Sequence, residues 1–422
     1  MSSAFGLFVI WSAAEHLRAR VLRTIAERFE IRGVHRIQWS AASVSENFGR
    51  FYGSTRLTPP FHSFFEHQKG SGPFTVVTVV DHDAVFENRP SNRGVRLVHA
   101  RLFDAKQEFR GWTKLPKVIH ATETEQEAKR DLYMLLGMTL AQYLAQHSLP
   151  WDGTIEQHTR DVTGARGWPC LRDAFDALNH LVSYVVLRNF ENLLDGHSSG
   201  DWHSSGDREQ VDLLVADYKE AIRILNARPV LGLVPRWGGR FQVTVAGRRI
   251  ICEIRFVGDG YFDRQWQHEV LQRRRRLDTG IYVPSSRDYF ETLAYHALAH
   301  QRELSSDDAR LLAAMAAAEG LDDWTPERLH TPGEARRLLD RLIPGSGRAH
   351  VRPKDVTVFY NFAAAGWDSA QRRRKVAGLL RTAAVSWWRL KAPVVRAALQ
   401  ARRELVMRLP VLRRWLRPPA LI

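Results

Sequence analysis

Gln210-Val211-Asp212-Leu213-Leu214-Val215 and, further along, Ile251-Cys252-Glu253-Ile254-Arg255-Phe256-Val257-Gly258-Asp259 each enclose a carboxylate in an apolar run. Ahead of them stands Tyr184-Val185-Val186-Leu187-Arg188-Asn189-Phe190-Glu191. Strand side chains alternate between two faces, so Asp212 and Glu253 project away from their immediate apolar neighbours and converge if the strands pair. Carboxylates so placed suit a divalent cation.

The surroundings read as alternating strands and helices. Residues 171–181 have helical spacing, 183–187 and 211–215 are strand-like, and 218–226 is helical again. Residues 241–245 and 249–256 form a hairpin across Ala246-Gly247-Arg248. Residues 286–345 read as helical, with Ser286, Ser305 and Thr325 as caps. Toward the start of the chain, 6–11, 34–39, 75–80 and 95–103 read as strands, and 15–28 as a helix. A further helix over 122–137 is expected from Thr122 as cap, Glu125 three residues later and a closing Gly137. Between them, 146–169 accumulates Pro150, Gly153, Gly164, Gly167 and Pro169 and loses periodicity. A chain of 422 residues exceeds one ordinary core. The expectation is an α/β (α+β) two-domain protein: an N-terminal α/β domain over 1–148, a linker over 149–169, a central mixed-sheet domain over 170–305, a helical extension over 306–370 and a tail over 371–422.

The central stretch resembles the nucleotidyltransferase-like superfamily that includes polymerase-β-type enzymes, and more closely the members associated with bacterial capsule and surface-polysaccharide genes. The resemblance spans about residues 170–305. It implies a mixed sheet in which two acids one residue apart on one strand, and a third on a following strand, hold Mg²⁺ against a phosphate-containing donor. Asp212 matches the second acid and Glu253 the third, which makes them the implied catalytic and metal-binding pair. Gln210 replaces the first acid, and Arg188-Asn189 replaces the family's Gly-Ser turn. An amide in place of a carboxylate removes a full charge from a site whose cation affinity depends on charge. Arg188, Asn189 and Arg255 are implied substrate contacts. The bland alternative is that the acids cap strand ends or pair with Arg188 and Arg255.

Two other groups enter as substrate-binding candidates. His296 and His300 share a helical face, without the glutamate of a zinc-protease motif. They read either as core histidines or as a grip on phosphate or an acceptor hydroxyl. Lys117 and His120, with Asp104, Lys106, Arg110 and Thr113, precede the helix expected at 122, and a helix N-terminus flanked by basic groups suits an anion. A polar turn before an ordinary helix is the competing reading. The duplicated His197-Ser198-Ser199-Gly200-Asp201 and His203-Ser204-Ser205-Gly206-Asp207 reads as a solvated loop rather than a metal site, because its spacing matches no ligand pattern.

The net charge of +15 is unevenly spread. Residues 371–422 hold twelve Arg and two Lys against Glu404, a balance of +13, which leaves +2 for residues 1–370. In 372–391, Val376, Leu379, Leu380, Ala383, Trp387 and Leu390 recur at helical spacing among arginines. Such a basic amphipathic segment favours an anionic membrane surface over nucleic acid, since nucleic acid needs no apolar stripe of large residues. Two cysteines exclude a disulfide framework and suit a reducing cytoplasm. The start lacks a basic region and cleavage site, so no signal peptide is expected. These readings together lead to a peripheral, inner-face transferase that uses Mg²⁺, a phosphate-containing donor and a glycan or lipid-linked acceptor. The alternatives are a catalytically degenerate binding or scaffold protein of the same pathway, and a nucleic-acid-modifying protein.

Overall fold

A computed structural model describes residues 3–53, 61–91, 94–113, 115, 117–191, 193–194, 210–231, 235–343 and 348–365. The basic tail and the duplicated loop lie outside the described residues. The chain is α+β and divides into two compact units, one of Met1–Gly167 with Arg223–Asn226, the other of Trp168–Ile222 and the residues from Ala227 onward. No helix among the described residues is long and apolar enough to cross a membrane.

The first unit runs β1 (Ala4–Ile10), α1 (Arg18–Ala26), β2 (Glu30–Gln38), α2 (Val44–Phe51), α3 (Phe61–Lys69), β3 (Phe74–Asp81), β4 (Phe86–Ser91), β5 (Gly94–His99), α4 (Ala100–Gly111), β6 (Ile119–Ala121), α5 (Glu125–Leu136), α6 (Leu140–Gln146) and β7 (Ile155–Thr159). Its sheet has the order β6-β1-β3-β2-β7. β3 lies antiparallel between β1 and β2, which gives a split βαβ unit, and β7 joins the outer edge parallel to β2. Val21 and Ile25 of α1 and Leu102, Ala105 and Phe109 of α4 pack with Phe8, Val77 and Val79 on the sheet. All of β3 is buried, so its β-branched run shows no alternation.

Three expectations change here. Residues 100–103 belong to α4 rather than to a strand: the hairpin β4–β5 ends at His99, whose Nδ1 accepts a hydrogen bond from Leu102 N. Thr124, not Thr122, caps α5, its hydroxyl accepting from Glu127 N at 3.1 Å, while Thr122 is tied to Leu7 beside β1. The stretch expected as a linker supplies β7, because backbone pairing with β2 outweighs its turn-rich flanks.

The second unit contains α7 (Leu171–Leu181), β8 (Tyr184–Val186), β9 (Gln210–Val215), the first part of α8 (Tyr218–Leu225, whose last residues from Arg223 count with the first unit), β10 (Arg228–Pro229), β11 (Gly239–Val245), β12 (Arg248–Phe256) and α9 (Arg264–Gln272). After β13 (Arg275–Arg276) and β14 (Tyr282–Val283) come α10 (Ser286–Tyr295), a π-helical turn His296–His300, α11 (Ser306–Ala318), α12 (Pro326–His330), α13 (Pro332–Leu342) and α14 (Phe362–Ala365). The main sheet has the order β10-β11-β12-β9-β8. β11 and β12 are joined by Ala246 and Gly247 at φ 48° and 74°, the positive pair that a tight two-residue hairpin requires. β9 runs parallel to β12, a pairing that needs a crossover, and β8 closes the edge antiparallel to β9. Trp266, Phe290, Tyr295, Leu312, Leu338 and Leu339 bind the later helices into one core. Ser285 caps α10 one residue before the expected position, and Ser305 and Thr325 cap α11 and α12 as expected.

Candidate functional site

In the β9–β12 ladder Asp212 is the direct partner of Glu253. Partners in a parallel ladder point to the same face, so the two acids meet side by side. Gln210, two residues before Asp212, faces the same way. Its Nε2 donates to Asp212 Oδ1 at 2.7 Å and lies 3.3 Å from Glu253 Oε2, while its Oε1 accepts from Arg240 Nη2 at 2.9 Å. One amide thus bridges both carboxylates.

Each acid also has its own arginine. Leu187 N donates to the Asp212 carbonyl at 2.8 Å, which carries the chain past the end of β8 and brings Arg188 Nε to 2.6 Å from Asp212 Oδ2. Asn189 then turns the chain at φ 57°, in the left-handed region that asparagine tolerates better than most residues. Arg255, two residues beyond Glu253 and on its face, donates to Glu253 Oε1 from Nε at 2.9 Å and Nη2 at 2.5 Å, and from Nη1 to Asp355 Oδ2 at 2.8 Å. Its guanidinium lies 4.6 Å from the centre of the Tyr261 ring. Burial opposes the charge on Glu253, but Arg255, Arg188 and Arg240 outweigh it and hold the carboxyl below its usual range. Burial likewise opposes the charge of Arg188 and Arg255, and the surrounding negative groups prevail in both.

Behind Tyr261 are the two histidines. The Tyr261 hydroxyl is 2.7 Å from His296 Nδ1, and the His300 ring is centred 4.4 Å from the Tyr261 ring. Neither His300 nitrogen has a hydrogen-bond partner among the described residues. Burial first, and then the charges of Arg188 and Arg255, push both imidazoles well below their ordinary value. His300 is buried and His296 half-buried, both packed against Tyr261.

Asp212, Glu253, Arg188, Arg255, His296 and His300 therefore form one network with Gln210, Arg240, Tyr261 and Asp355. Gln210 sits where its i−2 spacing from Asp212 puts it, on the shared face, and Arg240 and Tyr261 are the members that the sequence did not single out as partners. Asp355 lies a hundred residues from Arg255 and carries no such signal.

Lys117 and His120 belong to the first unit and do not build the expected anion pocket. The N-terminus of α5 is filled by carboxylate, since Glu127 Oε2 accepts from Glu123 N at 2.7 Å. Lys106, inside α4, is spent on Glu123 at 2.6 Å, and His120 Nε2 lies 2.9 Å from Asp131 Oδ2. The Lys117 carbonyl accepts the Lys69 ammonium, and its own backbone turns at φ 60°. An anion would meet acid there.

No family model and no curated protein matches this chain. Among solved structures, one similarity is to the Aquifex aeolicus nucleoside diphosphate kinase, at 17% identity over 33% of this chain and 99% of that one, with a TM-score of 0.24. A likeness of that size carries no argument about fold or activity.

Proposed function

We propose that the second unit is a nucleotidyltransferase-like module that takes a phosphate-containing donor through a divalent ion at Asp212 and Glu253. In this reading the protein transfers a sugar-, polyol- or nucleotidyl-phosphate group in bacterial surface-polysaccharide assembly. Residues 371–422 hold it on the inner membrane face, and the acceptor is a glycan or lipid-linked precursor. The observation that supports the reading is the in-register pairing of Asp212 with Glu253 on adjacent parallel strands. Mg²⁺ requires oxygen ligands in near-octahedral array. Rotating the Gln210 amide would present its carbonyl oxygen to the two carboxylates, giving three protein oxygens, with water and donor phosphate to complete the shell. Arg188 and Arg255 would then exchange carboxylate for phosphate oxygens, for which a planar guanidinium is equally suited. Transfer would proceed by positioning and charge neutralisation.

A second reading rests on the same residues. The acids are already satisfied by one amide and two guanidiniums, and this favours a degenerate module that binds a nucleotide or glycan and organises partner enzymes. Mg²⁺-dependent turnover of nucleoside-diphosphate-linked donors separates the two. Transfer that is lost in Asp212→Asn and Glu253→Gln supports the enzyme. Assembly unchanged by both substitutions, yet lost on removal of 371–422, supports the scaffold. Salt-sensitive RNA or DNA binding through the tail, without vesicle binding, would instead support the nucleic-acid alternative.

A further inference from the structure

We propose that the first unit carries a binding site for a zinc-class divalent cation, made by His35 of β2 and by Glu156 and His158 of β7. This inference is independent of the second unit's function.

The donor atoms converge because of strand geometry. His35 is the ladder partner of Glu156, and His158, two residues on, returns to the same face. His35 Nδ1 lies 3.2 Å from His158 Nε2 and 3.4 Å from Glu156 Oε2, and the third edge, His158 Nε2 to Glu156 Oε2, is 3.6 Å. A tetrahedral ion with bonds of about 2.0–2.1 Å has ligand-to-ligand edges of about 3.3 Å. The triangle has that size. Two imidazoles and one carboxylate are a zinc donor set that leaves a fourth position for water or substrate. The edge strand leaves Glu156 and His158 42% and 25% exposed, so an ion can enter, whereas His35 is buried.

The hydrogen bonds behind His35 fix which nitrogen is free. Thr78 Oγ1 donates to the Gly33 carbonyl at 3.2 Å, so Tyr143 donates to Thr78 at 2.7 Å and accepts from His35 Nε2–H at 2.7 Å. His35 Nδ1 is left with its lone pair toward the Glu156 carboxylate. A proton on His158 Nε2 or a cation in the centre of the triangle would satisfy that lone pair, and only the cation would also engage the Glu156 oxygen and both imidazoles together.

The support around the ligands has the form such a site needs. His147, at the end of α6, is 2.9 Å from the second Glu156 oxygen and stacks on Tyr143 with ring centres 4.1 Å apart. Gly33 makes room for the arrangement, since a Cβ there would meet the Tyr143 hydroxyl at 2.3 Å and His35 Nε2 at 2.8 Å. The register of β2 against β3 shifts between Ile31 and Gly33, a bulge just before His35 that re-aims the strand. A second acid–histidine cluster among the described residues, His120 with Glu127 and Asp131, differs because Arg130 already pairs with both acids.

The test uses tag-free, full-length protein stripped with chelator, titrated with Zn²⁺ by calorimetry and with Co²⁺ by visible absorption. One ion per chain and an intense four-coordinate cobalt band are expected. His158→Gln and Glu156→Gln, both on the exposed edge strand, should each abolish that band with an unchanged melting temperature in chelator. Tyr143→Phe should weaken affinity about tenfold, the usual loss when a ligand's orienting partner is removed. His197→Gln and His203→Gln should leave binding intact. The proposal is overturned if no stoichiometric ion binds, if both edge-strand variants retain it, or if the loop variants lose it. It is equally overturned if nuclear magnetic resonance finds a proton shared by His35 and His158 that excess Zn²⁺ fails to displace.

Discussion

Gln210 is where the two readings of the second unit diverge, and its amide makes the difference measurable. Exchange for a carboxylate adds a negative charge beside Asp212 and Glu253 and removes the donor that now bridges them. Gln210→Glu should raise Mn²⁺ affinity, followed by electron paramagnetic resonance, by about tenfold or more; unchanged affinity would mean that the site does not receive cations. Asp212→Ala should cost about 3 kcal/mol in urea unfolding, because the half-buried Arg188 loses its partner, and Asp212→Asn should cost less. In the first unit Glu127 gives a pH signature. Burial raises its pKa, but His120, Arg130 and the Glu123 N–H lower it further, to about 2 from 4.5. A carboxylate depressed on folding stabilises the native state above pH 4.5, and that contribution drains away as pH falls toward about 2. Unfolding free energy should drop by on the order of 3 kcal/mol across that window, and Glu127→Gln should flatten the slope. The alternation of charge and apolar residues made Asp212 and Glu253 legible in the chain. Their pairing with Arg188 and Arg255 was legible too, as the alternative to a cation site; Asp355 and Tyr261, which hold Arg255 in place, were not, because they arrive through tertiary packing that no local period encodes.

Helix and strand boundaries show the same division. α7 and the β11–β12 hairpin were readable because a 3.6-residue stripe and a two-residue turn are local signals. α4 was not, since the apolar end of β5 runs into it without a turn residue and His99 supplies the cap. β7 was hidden by Pro150 and Gly153, although Glu156 and His158 carried a clue in their spacing of two. The corrected start of α5 can be checked directly: Thr124→Ala removes a cap hydrogen bond and should lower stability by about 1 kcal/mol in thermal melts. Thr122→Ala should still cost stability, through the Leu7 N–H that its hydroxyl serves, but it should leave the helix N-terminus intact by hydrogen exchange.

At the scale of the whole molecule, a nearly neutral body of residues 1–370 precedes a segment carrying +13. Each basic residue near an anionic leaflet contributes about 1 kcal/mol, so that segment should suffice for reversible membrane attachment. Full-length protein should float with phosphatidylserine-containing vesicles and protein ending at residue 370 should not, while both melt at the same temperature; flotation of both would place the contact elsewhere. In the function proposed above, Asp212 and Glu253 share a cation that presents a phosphate-containing donor. Calorimetric titration of full-length protein with a panel of nucleoside diphosphate sugars, with Mg²⁺ and with chelator, tests it most directly. Binding should require Mg²⁺ and disappear in the Asp212→Asn, Glu253→Gln double variant. Binding that is indifferent to both the metal and the double variant would contradict it.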